Sequence, residues 1–364
     1  MDALREILSA NGPLALALGG LLIGFAFGAV VYRTNYCAMG ALSDIHNFGD
    51  YRRFRAWLLA AATALVGAQV LARSGIVALD KSMYLATPGL NWLGHIGGGL
   101  IFGFGMVYAG GCPSRNLARA GGGDLRSLVT LVVLGLVAYM TIGGLFAPVR
   151  AALEQATTLP IAGTLSIGAL LAAIGRMAPE AGNLTATVLL AIAAAVFCFG
   201  DFKFRTSHMH VVSGLAVGAT VIAGWALTGL AYDELAARPV APISLTYVRP
   251  TGDALEWLAR FTASPMPGFG VASVFGALFG AFAAAMWMGR FHLTGFTDVA
   301  DMLRNILGAT LMGIGGVMAM GCTVGQAITG VSTLAIGSFL TFAAIVIGGF
   351  YGLRVLERQI LAAA

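Results

Sequence analysis

The chain has 364 residues, of which 58% are hydrophobic and only 10% charged, with a formal net charge of +5 and a mean hydropathy of +0.86. One water-soluble core cannot hide that much apolar surface, so the composition excludes a soluble globular protein and implies an all-α polytopic membrane protein. The apolar runs do not alternate in polarity, which excludes a β-barrel, and the modest positive charge fits loops at a membrane face, not nucleic-acid binding.

In chain order, stretches apolar enough to cross a bilayer fall at residues 14–32, 56–73, 94–110, 127–147, 184–199, 211–231, 269–288, 306–320 and 332–353, giving about nine transmembrane helices. The first is read as a retained span, because Met1–Asn11, with Arg5, carries no cleavage signature. The run 163–175 is apolar but short for a crossing and reads as a re-entrant or interfacial segment. The 51 glycines suit close helix approach and breaks where backbone lines a cavity.

Basic residues recur in alternate connections. They are Arg33, Arg52, Arg53 and Arg55, then Arg115, Arg119 and Arg126, then Lys203 and Arg205, then Arg290 and Arg304, and finally Arg354 and Arg358. With nine crossings these all face one side, which puts the C-terminus in the cytoplasm and the N-terminus in the periplasm. The polar loop 232–268, with Asp233 and Glu234, then lies outside.

One pattern occurs twice. Gly-Gly-Cys-Pro-Ser-Arg-Asn stands at Gly110–Asn116 and Met-Gly-Cys-Thr-Val-Gly-Gln at Met320–Gln326. Gly105 aligns with Gly315, Gly111 with Gly321, Cys112 with Cys322, and Asn116 with Gln326. By the crossing count these turns enter from opposite sides. Inverted repeats of that kind set broken helices at mid-membrane, where transporters hold substrate. A single domain, residues 1–364, with repeat halves of about 14–150 and 184–353, is expected. A second match, Arg33 and Asp44 with Arg290 and Asp301, sets Cys37 against Thr294 and fits the intervening lengths poorly.

Glycine permits the sharp turn, and Pro113 suits a first helical position. Amides opening the next helix carry partial positive charge. An anion there would meet those amides, the Cys112 or Cys322 thiol, and the Asn116 or Gln326 amide, with Ser114, Arg115 and Thr323 alongside. A thiol among apolar groups keeps its proton and donates a weak S–H hydrogen bond without adding charge. That suits a soft sulfur anion better than a phosphate. Cys37, in Arg33-Thr34-Asn35-Tyr36-Cys37, is a third thiol. Arg33 and Asn35 either draw an anion or mark the cytoplasmic border. Cys198 reads as a small buried hydrophobe. His208 and His210, two apart, and fourteen scattered methionines make no convincing metal site. No nucleotide-binding or hydrolase motif is present, so no cofactor, metal or enzyme activity is expected.

The blocks Arg33–Gly40 (R-x-N-Y-C-x-x-G), Gly111–Asn116 (G-C-P-S-R-N) and Gly321–Gln326 (G-C-T-V-G-Q) resemble the YeeE/YedE family of sulfur-compound transporters across essentially the whole chain. The resemblance implies a bacterial inner-membrane protein shaped as an hourglass from two pseudo-symmetric halves. It implies uptake of thiosulfate through a central path, with Cys37, Cys112 and Cys322 passing the ion along by S–H···S hydrogen bonds. It also implies a TusA-like sulfur carrier on the cytoplasmic side, here expected to be a separate protein, because the chain ends at Ala364 soon after its last span. Rival readings are a membrane sensor for sulfane sulfur, a carrier of another sulfur or selenium species, a thiol oxidoreductase, and a cation transporter. The last two lack C-x-x-C pairs and intramembrane carboxylates, respectively.

Overall fold

The computed structural model describes residues 12–363 except 88, 162–164, 233–239 and 264. Met1–Asn11 and the acidic pair Asp233 and Glu234 lie outside the described residues. The helices are α1 (Gly12–Thr34), α2 (Ala38–Phe48), α3 (Arg52–Arg73), α4 (Gly99–Tyr108), α5 (Pro113–Gly121), α6 (Leu125–Ile142), α7 (Ala147–Thr157), α8 (Ile167–Gly175), α9 (Pro179–Phe199), α10 (Phe202–Arg205), α11 (His208–Leu230), α12 (Arg249–Ala259), α13 (Phe269–Trp287), α14 (Val299–Met318) and α15 (Ile336–Ala363). Two π-helical turns, Gly94–Gly98 and Gly325–Gly330, precede α4 and α15. The protein is an all-α polytopic membrane protein. Among the described residues its sheet is one pair of two-residue strands.

Among the described residues, eight helical stretches are long and apolar enough to cross a bilayer. The remaining expected span, 306–320, falls on α14, which is not among them. The start of α14 carries Asp301, Arg304 and Asn305, which lowers its hydropathy. It nevertheless packs along α4 and α6 in the interior.

Helices of equal apolarity gain little from one another in lipid, so they associate by close backbone approach at small residues. A Cβ on Gly20, Gly24 or Gly28 of α1 would collide with the backbone oxygens of Phe269, Ser273 and Ala277 of α13, in that order, so these helices run parallel. Gly214 and Gly218 of α11 meet the oxygens of Ala56 and Ala60 of α3 in the same way. The central pair runs antiparallel. A Cβ on Gly98 would lie 2.8 Å from the Gly315 oxygen, and one on Gly105 2.8 Å from the Gly308 oxygen. Because Gly105 aligns with Gly315 and Gly98 with Gly308, the α4–α14 crossing reads the same from either helix, as a two-fold contact does.

The polar segment after α11 is not wholly a surface loop. Residues 240–248, without helix or strand, enter the protein, with Leu245 and Tyr247 fully buried and Val248 1% exposed. Ser244 donates its hydroxyl to the Val221 oxygen at 2.6 Å, and Thr329 donates to the Leu245 oxygen at 2.7 Å. The flanking polar residues and prolines disguise the short apolar insert Ile243–Val248. The pairing of Cys37 with Thr294 also fails. Tyr36–Cys37 leads into the 11-residue α2, and Tyr247–Val248 leads into the 11-residue α12, so Val248 occupies the place of Cys37.

Of the short run 163–175, residues 167–175 form α8. Ile167 N–H donates to the Leu334 oxygen at 2.9 Å, and Ile336 N–H donates to the Leu165 oxygen at 3.0 Å. Thr294 docks on the start of α6 likewise, exchanging bonds with Gly123 and Leu125 at 3.1 and 2.9 Å.

Candidate functional site

Two broken helices carry two of the thiols. After α4, Ala109, Gly110 and Gly111 donate to the oxygens of Gly105, Val107 and Met106; after α14, Ala319, Met320 and Gly321 donate to those of Gly315, Val317 and Gly316. The backbone angles repeat too, with φ 67° at Gly110 and 59° at Met320, and 159° at both Gly111 and Gly321. Cys112 and Cys322 follow, 2% and 0% exposed. Cys37, 9% exposed, caps α2 after a left-handed Asn35, φ 54°.

The sulfurs take up helix-end amides that were expected to stay free for an anion. Gly40 N–H donates to Cys37 Sγ at 3.2 Å and Gly325 N–H to Cys322 Sγ at 3.3 Å. Cys112 Sγ instead lies 3.2 Å from the Ser114 hydroxyl. With lone pairs engaged by N–H groups, the Cys37 and Cys322 protons are left to point elsewhere. Cys112 lies within electrostatic reach of both other thiols.

Asn116 and Gln326 are 1% and 0% exposed. Their amide donors hold the turns, Asn116 Nδ2 to the Gly111 oxygen at 2.8 Å and Gln326 Nε2 to the Ala319 oxygen at 2.6 Å. Their own carbonyl oxygens have no partner. Thr323, 1% exposed, has an unpartnered hydroxyl as well.

Arg115 is half-buried beside Cys37 and Cys112, packs its stem over Gly111, and forms no ion pair among the described residues. Pro113 opens α5. Arg33 is not brought to the thiols. Its guanidinium lies over the exposed Trp287 ring, 5.3 Å from the centroid. Asn35 is exposed and serves the turn. Cys198 is fully buried and donates to the Arg55 oxygen at 3.3 Å, away from this cluster.

Several residues near the thiols are not singled out by the sequence, and of these only Tyr36 lies in one of the motifs, Arg33–Gly40. Arg119 donates to the Gly110 oxygen at 3.0 Å and pairs with Asp124 at 2.8 Å. Arg53, paired with Asp44 at 3.2 Å, reaches over Gly40. The Tyr36 and Tyr247 hydroxyls are buried and unpartnered. On the Cys322 side an open cavity of about 320 Å³ reaches Met320 and Gly321, and Thr246, Arg150, Arg249 and Asp253 line it. Arg150 is fixed there by the Thr141 and Ile142 oxygens and by Glu154 at 2.5 Å.

The chain is 28% identical over 341 residues to the protein named thiosulfate transporter TsuA of Spirochaeta thermophila, covering 93% of this chain and 99% of that one. It is 26% identical over 336 residues to thiosulfate transporter TsuA of Escherichia coli, covering 86% of each. A shorter match, 29% over 102 residues, joins 28% of the chain to 23% of the probable transporter YedE of Escherichia coli. These relatives are named as transporters, not enzymes. Residues 33–351 match the family described as Sulphur transport, and the chain belongs to that family.

Proposed function

We propose that the protein carries thiosulfate, or a related sulfane-sulfur anion, across the bacterial inner membrane into the cytoplasm. The path runs past Cys37, Cys112 and Cys322, where two inverted halves of about 14–150 and 184–353 meet. One observation carries this reading: three buried thiols sit at three helix breaks, the middle one within electrostatic reach of the other two. The antiparallel α4–α14 crossing and the matched turns support the inverted halves.

A dianion entering apolar protein must exchange its water shell for donors, and several weak sites in series let it leave again. Protonated thiols offer S–H donors to a soft sulfur and add no negative charge. Arg115, free of any acidic partner among the described residues, offsets the charge near Cys37 and Cys112. The cavity with Arg150 and Arg249 is the periplasmic mouth in the orientation that puts the N-terminus outside and the C-terminus inside, and Arg115 and Arg53 stand at the cytoplasmic mouth. A separate TusA-like carrier would receive the sulfur there.

The test is growth on thiosulfate of a sulfur-auxotrophic bacterium lacking its own thiosulfate uptake, at matched membrane expression. Wild type and Cys198→Ala should grow, while Cys37→Ala, Cys112→Ala and Cys322→Ala should not. A well-expressed wild type that fails to support growth would sink thiosulfate import and favour a sensor or another sulfur or selenium substrate.

A further inference from the structure

We infer that Tyr36 and Tyr247 form a pair of oxygen-binding residues flanking the thiols, which donate their hydroxyls to the oxyanion end of the substrate while the thiols meet its sulfur end. The inference rests on the path carrying a sulfur oxyanion, and it adds the half of the recognition that thiols leave open.

The two residues sit in matching places, each just before an 11-residue helix, α2 or α12. Tyr36 is 7% and Tyr247 0% exposed, and neither hydroxyl has a hydrogen-bond partner among the described residues. A buried donor without a partner carries its full desolvation cost, so such groups in a native fold call for an explanation. Both lie beside thiols, Tyr36 within electrostatic reach of Cys112 and Cys37, and Tyr247 of Cys322. Tyr36 with Asn116 and Tyr247 with Gln326 thus bring matched unpartnered groups to the path among the described residues, a tyrosine hydroxyl and an amide oxygen, while the Thr323 and Tyr84 hydroxyls are further unpartnered donors on the Cys322 side without a counterpart beside Cys112. The Tyr36 main chain is held by its N–H, which donates to the Val31 oxygen at 3.2 Å, and the Tyr247 ring packs on Phe27 with centroids 5.1 Å apart.

Thiosulfate has two chemically distinct ends. Its terminal sulfur is soft and suits S–H donors, whereas its oxygens are hard acceptors that prefer O–H. A neutral hydroxyl supplies that donor without the strong attraction of an arginine, which would hold a dianion too long at a narrow point. Two hydroxyls, one per half, let the ion exchange one oxygen partner for the other as its sulfur passes between thiols.

The experiment uses the full chain in proteoliposomes, with radiolabelled thiosulfate uptake read beside the thermal midpoint in detergent, with and without thiosulfate. Tyr36→Phe and Tyr247→Phe should each raise the KM for uptake about tenfold, one hydrogen bond to a charged group. Both should lose the thiosulfate-dependent rise in Tm. Their ligand-free Tm should stay level or rise, because an unpaired buried hydroxyl has gone. Trp257→Phe, which deletes another buried unpartnered donor, packed against Phe261 and Phe275, should keep the wild-type KM. A wild-type KM in either tyrosine variant overturns the pairing. If wild type itself moves no thiosulfate, the parent reading fails; if wild type does and the phenylalanine variants match it, this inference alone fails.

Discussion

The two glycine–cysteine turns share a backbone and differ in their surroundings. The first, Gly110–Cys112, has Arg119 on the Gly110 oxygen, Arg115 across Gly111, and continues into α5. The second, Met320–Cys322, has the Gly325 amide donating to its sulfur, and continues into the π-helical turn Gly325–Gly330. Gln326 is one methylene longer than Asn116, so its amide reaches back to Ala319 where Asn116 reaches Gly111. One turn is electropositive, and the other is neutral with its arginines set back in the cavity. A shared backbone geometry thus does not require a shared charge, and the two turns differ in local potential.

The largest break in the comparison should come from the crossing that holds both turns. Gly308→Ala and its counterpart Gly98→Ala push a Cβ into opposing backbone, and each should lower stability by about 1–3 kcal/mol, read as a fall in Tm and in folded yield. If only one of them matters, the crossing is not a two-fold. A smaller effect should separate the turns. Gly110 and Met320 both adopt left-handed backbone, which costs an L-residue about 1–2 kcal/mol. Gly110→Ala should therefore destabilise by about that much, and Met320→Gly should stabilise by up to about 1 kcal/mol. Equal and unchanged Tm values would show that the turn is set by tertiary contacts alone.

The smallest effect concerns the cavity. Burial pushes the Asp253 carboxyl above the ordinary carboxylate range, against the opposing pull of the Tyr139 hydroxyl, which donates to it at 2.6 Å, and of Arg249. A raised pKa means that Asp253 loses its charge early as pH falls, so repulsion of an incoming anion weakens. The KM for thiosulfate uptake should then drop a few-fold between neutral pH and about pH 5. Asp253→Asn should show the low KM throughout. A wild-type pH profile retained in Asp253→Asn would move the titration elsewhere.

Much of this was legible in the residues. Apolar run length gave the crossings, and the aligned glycines and cysteines gave the two turns, because a break in a lipid-facing helix needs small residues that stand out against leucine and alanine. Tyr247 was not legible, since its buried insert is short and sits in a polar stretch that reads as loop. Nor was the fate of Arg33, whose stacking on Trp287 joins helices far apart in sequence. The amide donors of Asn116 and Gln326 looked available for an anion, but only the fold reveals that the turns themselves consume them.

The α4–α14 crossing also works as a beam balance. Gly105 and Gly315 bear on the opposite helix, and Cys112 and Cys322 each hang seven residues further on. The arms are equal in length along the chain, so the near two-fold of the crossing sets both turns at the same distance in sequence from one fulcrum. Adding a single residue to one arm would shift its sulfur by about 1.5 Å and swing it by about 100°, and the balance would tip.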